Sequence, residues 1–148
     1  MDVNSTMYNS RSEIIKNADS LQYFDDFLDS RQYLLSHYVS EFDSEIVELL
    51  LKLGSDPNIN PFSIINGNNL GFLFGLIDSY RVQYTLKGDV ILEVAKVLLE
   101  NGADPNIIDS SYSTPIEECG SKNMDSFKRL LQLYGGVPSK EMGSDLGK

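Results

Sequence analysis

One short motif occurs twice in this chain, each time at the end of a leucine-rich segment. Residues 45–60 read EIVELLLKLGSDPNIN, and residues 93–109 read EVAKVLLENGADPNIID. Aligned on Gly54 and Gly102, both segments have an acidic start, an apolar run, Gly, a small residue and then Asp-Pro-Asn-Ile. This repetition constrains the fold more than composition does, because a short repeated unit buries its apolar face only against its neighbours.

The segment before each glycine is typical of an amphipathic helix. In the first copy, four apolar residues follow the i, i+3, i+4, i+7 spacing of one helix face. They are Ile46, Leu49, Leu50 and Leu53. Gly54 and Gly102 then fall where a left-handed residue ends a helix, and the Asp-Pro-Asn that follows favours a turn. Each copy is therefore predicted to be a helix followed by a tight turn.

A third, degenerate copy follows at a regular distance. Residues 126–139 read SFKRLLQLYGGVPS, and Gly135 lies 33 residues after Gly102. Upstream of it, Thr114 and Pro115 predict a helix start, with Thr as the N-cap and Pro at the first helical position. The second half of the chain thus holds a complete unit of two helices and a turn.

These motifs resemble the ankyrin repeat, whose 33-residue pattern has a Thr-Pro-Leu-His helix start, a Leu-rich second helix and Gly-Ala-Asp-Pro/Val-Asn. Residues 102–106 match the last element fully, and residues 54–58 match it with Ser in place of Ala. The resemblance covers residues 20–139 and implies an all-α ankyrin-repeat solenoid of about three helix-turn-helix repeats plus an N-terminal helical cap.

The resemblance also implies one domain over residues 1–142. Residues 143–148 have no apolar anchor and are expected to form a disordered tail. The expected units are a cap at about 10–29 and repeats at about 30–60, 61–108 and 109–139. In the cap, Ser12 to Asn17 and Ser20 to Leu28 are expected to form a short helix pair. A separate helix, from about Arg31 to Ser40, would open the first repeat.

The central unit departs from the family pattern. Gly54 and Gly102 lie 48 residues apart, 15 more than one period. We expect its first helix to run from Asn69 to about Tyr80, with residues 81–89 forming a long connection to the second helix. The alternative is that longer helices absorb some of the 15 extra residues. The preceding finger, Ile59 to Gly67, is about two residues longer than the family pattern requires.

Charge indicates the class of partner. The chain has 22 acidic and 12 basic residues, a net charge of −10, and residues 1–50 alone hold ten acidic and three basic residues. This balance disfavours nucleic acid and anionic membranes as partners and favours a basic protein. The single cysteine cannot form an internal disulfide, and no secretory or membrane-spanning pattern is present, so a cytoplasmic location is expected.

The residues that could carry chemistry are few. His37 and Cys119 fall on first helices two units apart, roughly 20 Å by repeat stacking, which is too far for a nucleophile pair. Cys119 occupies a position where the repeat pattern has a small buried residue. Asp56 and Asp104 are predicted to make turn hydrogen bonds, and one His with one Cys is too few for a zinc site. No catalytic, cofactor or metal site is therefore predicted.

Binding is the remaining function. Ankyrin proteins commonly bind proteins through the finger tips and the exposed face of each first helix. The resemblance places the fingers at Asn60 to Asn66 and Ile108 to Ser113, and the helix faces around Tyr33 to Val39, Gly71 to Tyr80 and Glu117 to Lys122. Two sets of residues are singled out at or near such positions. The first set comprises His37, Phe62, Tyr80, Tyr84, Asp109 and Tyr112. The second is an acidic cluster suited to steering a basic partner: Asp25, Asp26, Asp29, Glu41 and Asp43. Glu45 belongs to the same cluster but is not predicted to contact the partner.

Two functions are compatible with these features. The chain resembles small acidic ankyrin proteins of bacteria that act as inhibitors or immunity proteins, masking a basic partner such as a toxin domain. The alternative is a scaffold or effector that recruits a cellular protein through its concave face. A monomer, or a 1:1 complex with the partner, is expected in the first case.

Overall fold

The computed structural model describes residues 11–16, 18, 25–120 and 123–141, and for residues 25–30 only the main chain. The tail predicted at 143–148 lies outside the described residues. The described part is helical, with one small hairpin, as an all-α fold requires. The elements are α1 (Arg11–Lys16), α2 (Asp25–Ser40), α3 (Ser44–Lys52), β1 (Ile64–Ile65), β2 (Asn68–Asn69), α4 (Leu73–Glu100), α5 (Pro115–Cys119) and α6 (Asp125–Leu133).

The N-terminal helices differ from the prediction in one respect. Helix α1 falls within one residue of the predicted segment Ser12 to Asn17. Helix α2 runs without a break from Asp25 to Ser40, so the expectation of one helix ending at Leu28 and another beginning at Arg31 is wrong. The physical reason is that residues 25–40 contain neither Gly nor Pro, and nothing in the sequence interrupts the helical hydrogen bonds.

Three helices end in the same way. Gly54, Gly102 and Gly135 all have positive φ angles, of 109°, 100° and 92°. In each case the main chain makes the two hydrogen bonds of a Schellman motif, in which the glycine and the following residue donate back into the last turn. The prediction of left-handed glycines after the Leu-rich helices is confirmed, and the degenerate third copy ends as the other two do.

Side-chain amides connect each turn to the next one along the chain. Asn58 accepts from the main-chain N–H of Asp104 (2.7 Å) and donates to the carbonyl of Gly102 (3.0 Å). Asn106 repeats both contacts one unit later, with Val137 N–H (2.8 Å) and Gly135 carbonyl (3.0 Å). We call these two pairs of bonds the amide clamps. They hold successive turns at a fixed distance and orientation.

A related clamp stands before the first turn. The side chain of Gln32, on α2, accepts from the N–H of Asp56 and donates to the carbonyls of Asp56 and Ile59. Within the turns, Asp56 and Asp104 each accept from the N–H two residues ahead, at 2.8 Å. The prediction that these two carboxylates make turn hydrogen bonds is confirmed.

Helix α4 consists of 28 consecutive helical residues, but it cannot be straight. A straight helix of that length would measure about 42 Å. Its two ends nevertheless reach the same residue: a Cβ placed on Gly71 would lie 3.5 Å from the carbonyl oxygen of Asn58, and Asn58 also donates to Gly102. The same Cβ would lie 3.8 Å from Cδ1 of Ile107. The chain must therefore double back within α4.

The reversal lies between Tyr80 and Gly88. A Cβ placed on Gly88 would lie 3.3 Å from the ring of Tyr80, although eight residues advance about 12 Å along a straight helix. Both residues are buried, whereas the segment between them is mostly exposed, and Leu86 is 90% exposed. We call residues 81–87 the helical tip. Residues 81–89, which were expected to form a long connection, are helical, and helical residues take up the extra length.

From α2 onward the helices pack in chain order around one apolar core, and α1 packs against α3. Helix α3 packs against α2 and α4, and α4 packs against α5 and α6. Large, fully buried side chains come from every layer of this arrangement: Leu34, Leu35, Ile46, Leu50, Ile77, Ile91, Leu98 and Phe127. The core accounts for the Leu-rich runs and leaves the hairpin and the helical tip at the surface.

Candidate protein-binding surface

The finger between α3 and α4 is a β-hairpin. Ile64 pairs with Asn69 and Ile65 with Asn68, in antiparallel register. The two connecting residues, Asn66 and Gly67, have φ angles of 53° and 82°, as a type I′ turn requires. The enlarged finger is thus an ordered hairpin.

Two asparagines anchor the base of this hairpin. Asn69 accepts from the N–H of Asn60 (2.9 Å) and donates to its carbonyl (3.0 Å). The side chain of Asn60 accepts from Phe62 N–H (3.0 Å) and from the hydroxyl of Ser36 on α2 (3.1 Å). These bonds tie the finger to α2, so the side chains it exposes have a fixed orientation.

Exposed aromatic residues lie on both fingers. The ring of Phe62 is 74% exposed and makes an edge contact with the ring of Tyr33, at 5.6 Å between centroids. Tyr112, in the next finger, is 78% exposed and has a φ of 60°. Large rigid side chains in such positions contribute contact area at low entropic cost. We call Tyr33, Phe62, Ile64, Ile65 and Tyr112 the finger surface.

Two of the predicted acidic residues are engaged within the protein. Asp43 caps α3 by accepting from the N–H of Ile46, and its other oxygen pairs with Arg11 at 2.8 Å. Arg11 also pairs with Glu45 at 2.6 Å. Burial alone would raise the pKa of Asp43, but the hydrogen bonds from Arg11 and Ile46 outweigh it and hold that pKa below its usual value. Asp43 therefore joins α1 to α3.

The other predicted polar residues have different surroundings. His37 and Glu41 are exposed, at the C-terminal end of α2 and just beyond it. Asp109 is half-buried and accepts from the N–H groups of Ser111 and Ser113, so it shapes the second finger. The side chains of Asp25, Asp26 and Asp29 lie outside the described residues.

The two tyrosines at the start of the helical tip, Tyr80 and Tyr84, differ in their exposure. Tyr80 is 6% exposed and packs edge-on against Phe127, at 5.6 Å between centroids. It is a core residue at the base of the helical tip and presents no face to a partner. Tyr84 is more exposed and lies against the outer side of Tyr80.

Basic side chains hold the base of the helical tip. Arg81 donates to the carbonyl of Glu118, at the end of α5, and pairs with Asp78 at 2.9 Å. The ammonium nitrogen of Lys87 lies 6.0 Å from the centre of the Phe42 ring. These contacts connect the tip to the units on either side of it.

Burial determines the reactivity of the single cysteine, Cys119. Cys119 is fully buried, as predicted for a small core position, and burial raises the pKa of its thiol to about 11. The thiolate needed for nucleophilic attack is therefore scarce at neutral pH. Within the part of the chain that the structure describes, no group of three or more His, Cys, Asp or Glu side chains could hold a metal ion.

Sequence reasoning placed part of the finger surface only as ranges. Tyr33, Ile64 and Ile65 fall within the predicted helix face (Tyr33 to Val39) and finger (Asn60 to Asn66) but were not singled out as contacts, and each is exposed beside or on the first finger. A signal was present: Ile-Ile-Asn-Gly places the strongest two-residue hairpin signature directly after two β-branched residues. A hairpin there would have identified both isoleucines as exposed strand residues.

Comparison with known proteins gives one family. Residues 84–110 match the ankyrin repeat family model, a segment that begins in the helical tip and ends after the second Asp-Pro-Asn turn. Searches of curated proteins and of solved structures returned no match. Over the described residues, no helix has both the length and the apolar character needed to cross a bilayer.

Proposed function

We propose that this chain binds a basic protein and masks it, as an inhibitor or immunity-type protein masks a toxin domain. Residues 84–110 match the ankyrin repeat family model, and such repeats indicate a protein–protein interaction module. The observation that carries the proposal is the finger surface, an exposed and rigidly anchored set of aromatic and β-branched residues.

We propose that the chain forms a solenoid of three stacked helix-pair units. Three Schellman turns and two amide clamps support it, because each turn makes the same contacts with the next. The doubled-back α4 supplies both helices of the central unit. In such a stack the fingers project from one end of the helices and form a continuous surface.

Charge supports a basic partner. The chain carries −10 overall, and residues 53–77, which include the first finger, contain Asp56 but no Lys or Arg. The proposed contacts with the partner are Phe62, Tyr112, His37 and Glu41. Asp25, Asp26 and Asp29 attract the basic partner during association. We propose a 1:1 complex in the cytoplasm.

The test uses the full chain as bait in a lysate of its source cells, at about 50 mM and about 300 mM salt, since these concentrations differ strongly in screening. The bait variants are Phe62→Ser with Tyr112→Ser, and Leu133→Ser as a matched control, because Leu133 is just as exposed but lies on α6, away from the fingers. The proposal expects one basic protein that wild type and Leu133→Ser retain and the finger variant loses.

The isolated partner then provides the functional assay. Its own activity should fall when equimolar chain is added, and reversing the charges of Asp25, Asp26 and Asp29 should slow association several-fold at low salt. A neutral or acidic partner that survives high salt would contradict masking of a basic protein and favour the scaffold role. Equal capture by all three baits would remove the finger surface from the proposal.

A further inference from the structure

The outer edge of strand β1 carries main-chain groups that point away from the hairpin. Leu70 N–H donates to the carbonyl of Ser63 at 2.8 Å. In an antiparallel pair, hydrogen-bonded and non-hydrogen-bonded positions alternate, so the next pair, Ile64 with Asn69, is non-hydrogen-bonded. The N–H and C=O of Ile64 therefore face outward, and this residue is 57% exposed.

This edge is pre-organised for pairing. The Asn60–Asn69 contacts fix the base of the hairpin, and the Asn66-Gly67 turn closes its other end. The rings of Tyr33 and Phe62 stand beside the strand. An added strand would meet main-chain groups already held in extended geometry, with apolar surface next to them, which is the arrangement that β-strand addition requires.

We propose that the outer edge of β1 binds an extended segment of the basic partner, with alternating apolar and Lys or Arg side chains, by main-chain pairing at Ile64. This inference rests on the proposed function and names how the finger surface holds its partner. Charge complementarity selects the segment, because the chain carries a net charge of −10 and residues 53–77, which include the first finger, contain Asp56 and no Lys or Arg. The apolar side chains of the segment pack on Phe62 and Tyr33.

A second copy of the chain fits this edge poorly. Each copy carries a net charge of −10, so two chains repel each other where a basic segment is attracted. The strand is two residues long, and pairing two such edges buries far less than the roughly 1,200 Å² that a stable interface needs. The occupant is therefore a partner segment that also contacts the rest of the finger surface.

The test uses a fluorescein-labelled peptide of alternating valine and lysine as the probe, with binding followed by fluorescence anisotropy. Ile64→Pro removes the outward N–H and leaves the bonds of the hairpin in place, since proline is tolerated at an edge strand. Ile64→Val is the matched control, because it keeps the N–H and a β-branched side chain. We expect Ile64→Pro to weaken binding about tenfold and Ile64→Val to change it less than about twofold.

Three further measurements make the outcome decisive. An alternating valine–glutamate peptide should not bind, the amide resonances of residues 63–65 should shift with the valine–lysine peptide, and thermal melts should show that Ile64→Pro stays folded. Wild-type affinity in Ile64→Pro, or no binding of the valine–lysine peptide to wild type at about 1 mM, would overturn the edge-pairing proposal.

Capture of the partner by the variants distinguishes failure of the edge-pairing proposal from failure of the proposed function. A partner lost by the Phe62 and Tyr112 variant but retained by Ile64→Pro would leave the finger surface as the binding site and disprove strand addition. A partner retained by both variants would contradict the proposed binding surface itself.

Discussion

The amide-clamped turns and the helical tip both reverse the direction of the chain between helices, but they do so by different means. At Gly54, Gly102 and Gly135, a left-handed glycine ends the helix and two main-chain bonds close the turn. At the tip, residues 81–87 stay helical while the chain reverses direction, and Tyr80, Arg81 and Lys87 hold the reversal at its base.

The difference shows where a repeat can change its length. Asn58 is hydrogen-bonded to the turn that follows the central helix pair, and its carbonyl lies beside Gly71 at the start of that pair, so both ends stay next to the preceding turn. Added residues are accommodated at the opposite end, where no clamp exists and where Leu86 and Val82 project into solvent. The 15 residues beyond one repeat period thus lengthen the finger and the helices while the turns keep their contacts.

The largest expected effect is at the base of the tip. Phe127→Ala removes a fully buried ring that packs against Tyr80, and we expect it to lower the free energy of unfolding by about 3–5 kcal/mol. Urea denaturation measures this. Leu86→Ala, at the exposed end of the same tip, should change it by less than about 0.5 kcal/mol. A large loss from Leu86→Ala would mean that the tip is packed and that the contrast is wrong.

An amide clamp should contribute less than a core ring but more than any surface residue. Asn58→Ala deletes both bonds to the next turn, and we expect a loss of about 1–3 kcal/mol. Amide exchange at Asp104 should accelerate with it. The matched control is Gln132→Ala, which truncates an exposed amide on α6. If the two variants have the same stability, the clamps do not hold the turns together.

Two glycines offer a sharper comparison of turn and helix. Gly102 has a φ of 100° and open space around its Cα, whereas Gly75 lies within α4 with nothing near a Cβ. Gly102→Ala should therefore cost about 1–2 kcal/mol through backbone strain alone, and Gly75→Ala should add about 0.5–1 kcal/mol of stability. Chemical denaturation measures the change in the free energy of unfolding for both variants. If the two changes have the same sign, the contrast between the left-handed turn glycine and the helical glycine is wrong.

The smallest expected effect concerns the start of the third unit. Glu117 accepts from the main-chain N–H of Thr114 and then from Ser139, and these bonds lower its pKa to about 2 from 4.5. Its contribution is therefore present above about pH 4.5 and is lost as pH falls towards 2. The Tm of Glu117→Gln should lie below wild type at pH 7 and approach it near pH 2.5. A constant gap between the two would disprove the linkage.

Local chemistry explains why the turns were predictable. A glycine after a Leu-rich run, followed by Asp-Pro-Asn, restricts the backbone within five residues, and Gly54 and Gly102 adopt the predicted conformation. The helix start at Thr114 and Pro115 was equally local and is confirmed. The burial of Cys119 followed from its place in the repeat pattern.

The candidate site was less predictable, because exposure depends on packing between distant residues. Tyr80 and Tyr84 are four residues apart on one helix, yet only the first meets Phe127, 47 positions along the chain. Asp43 was predicted to face a partner, but Arg11 pairs with it across 32 positions. The contact of Phe62 with Tyr33 likewise joins a finger to a helix.

The sequence alone determined the Leu-rich helices, the glycine-ended turns that follow them and the excess of negative charge, because each depends on neighbouring residues or on a simple count. The tertiary structure was needed to show that the central insertion is helical, that the two ends of the central helix pair meet at Asn58, and that the first finger is hydrogen-bonded to α2. The physical reason is that these features depend on contacts between units, where packing and main-chain hydrogen bonds select one of several locally acceptable conformations.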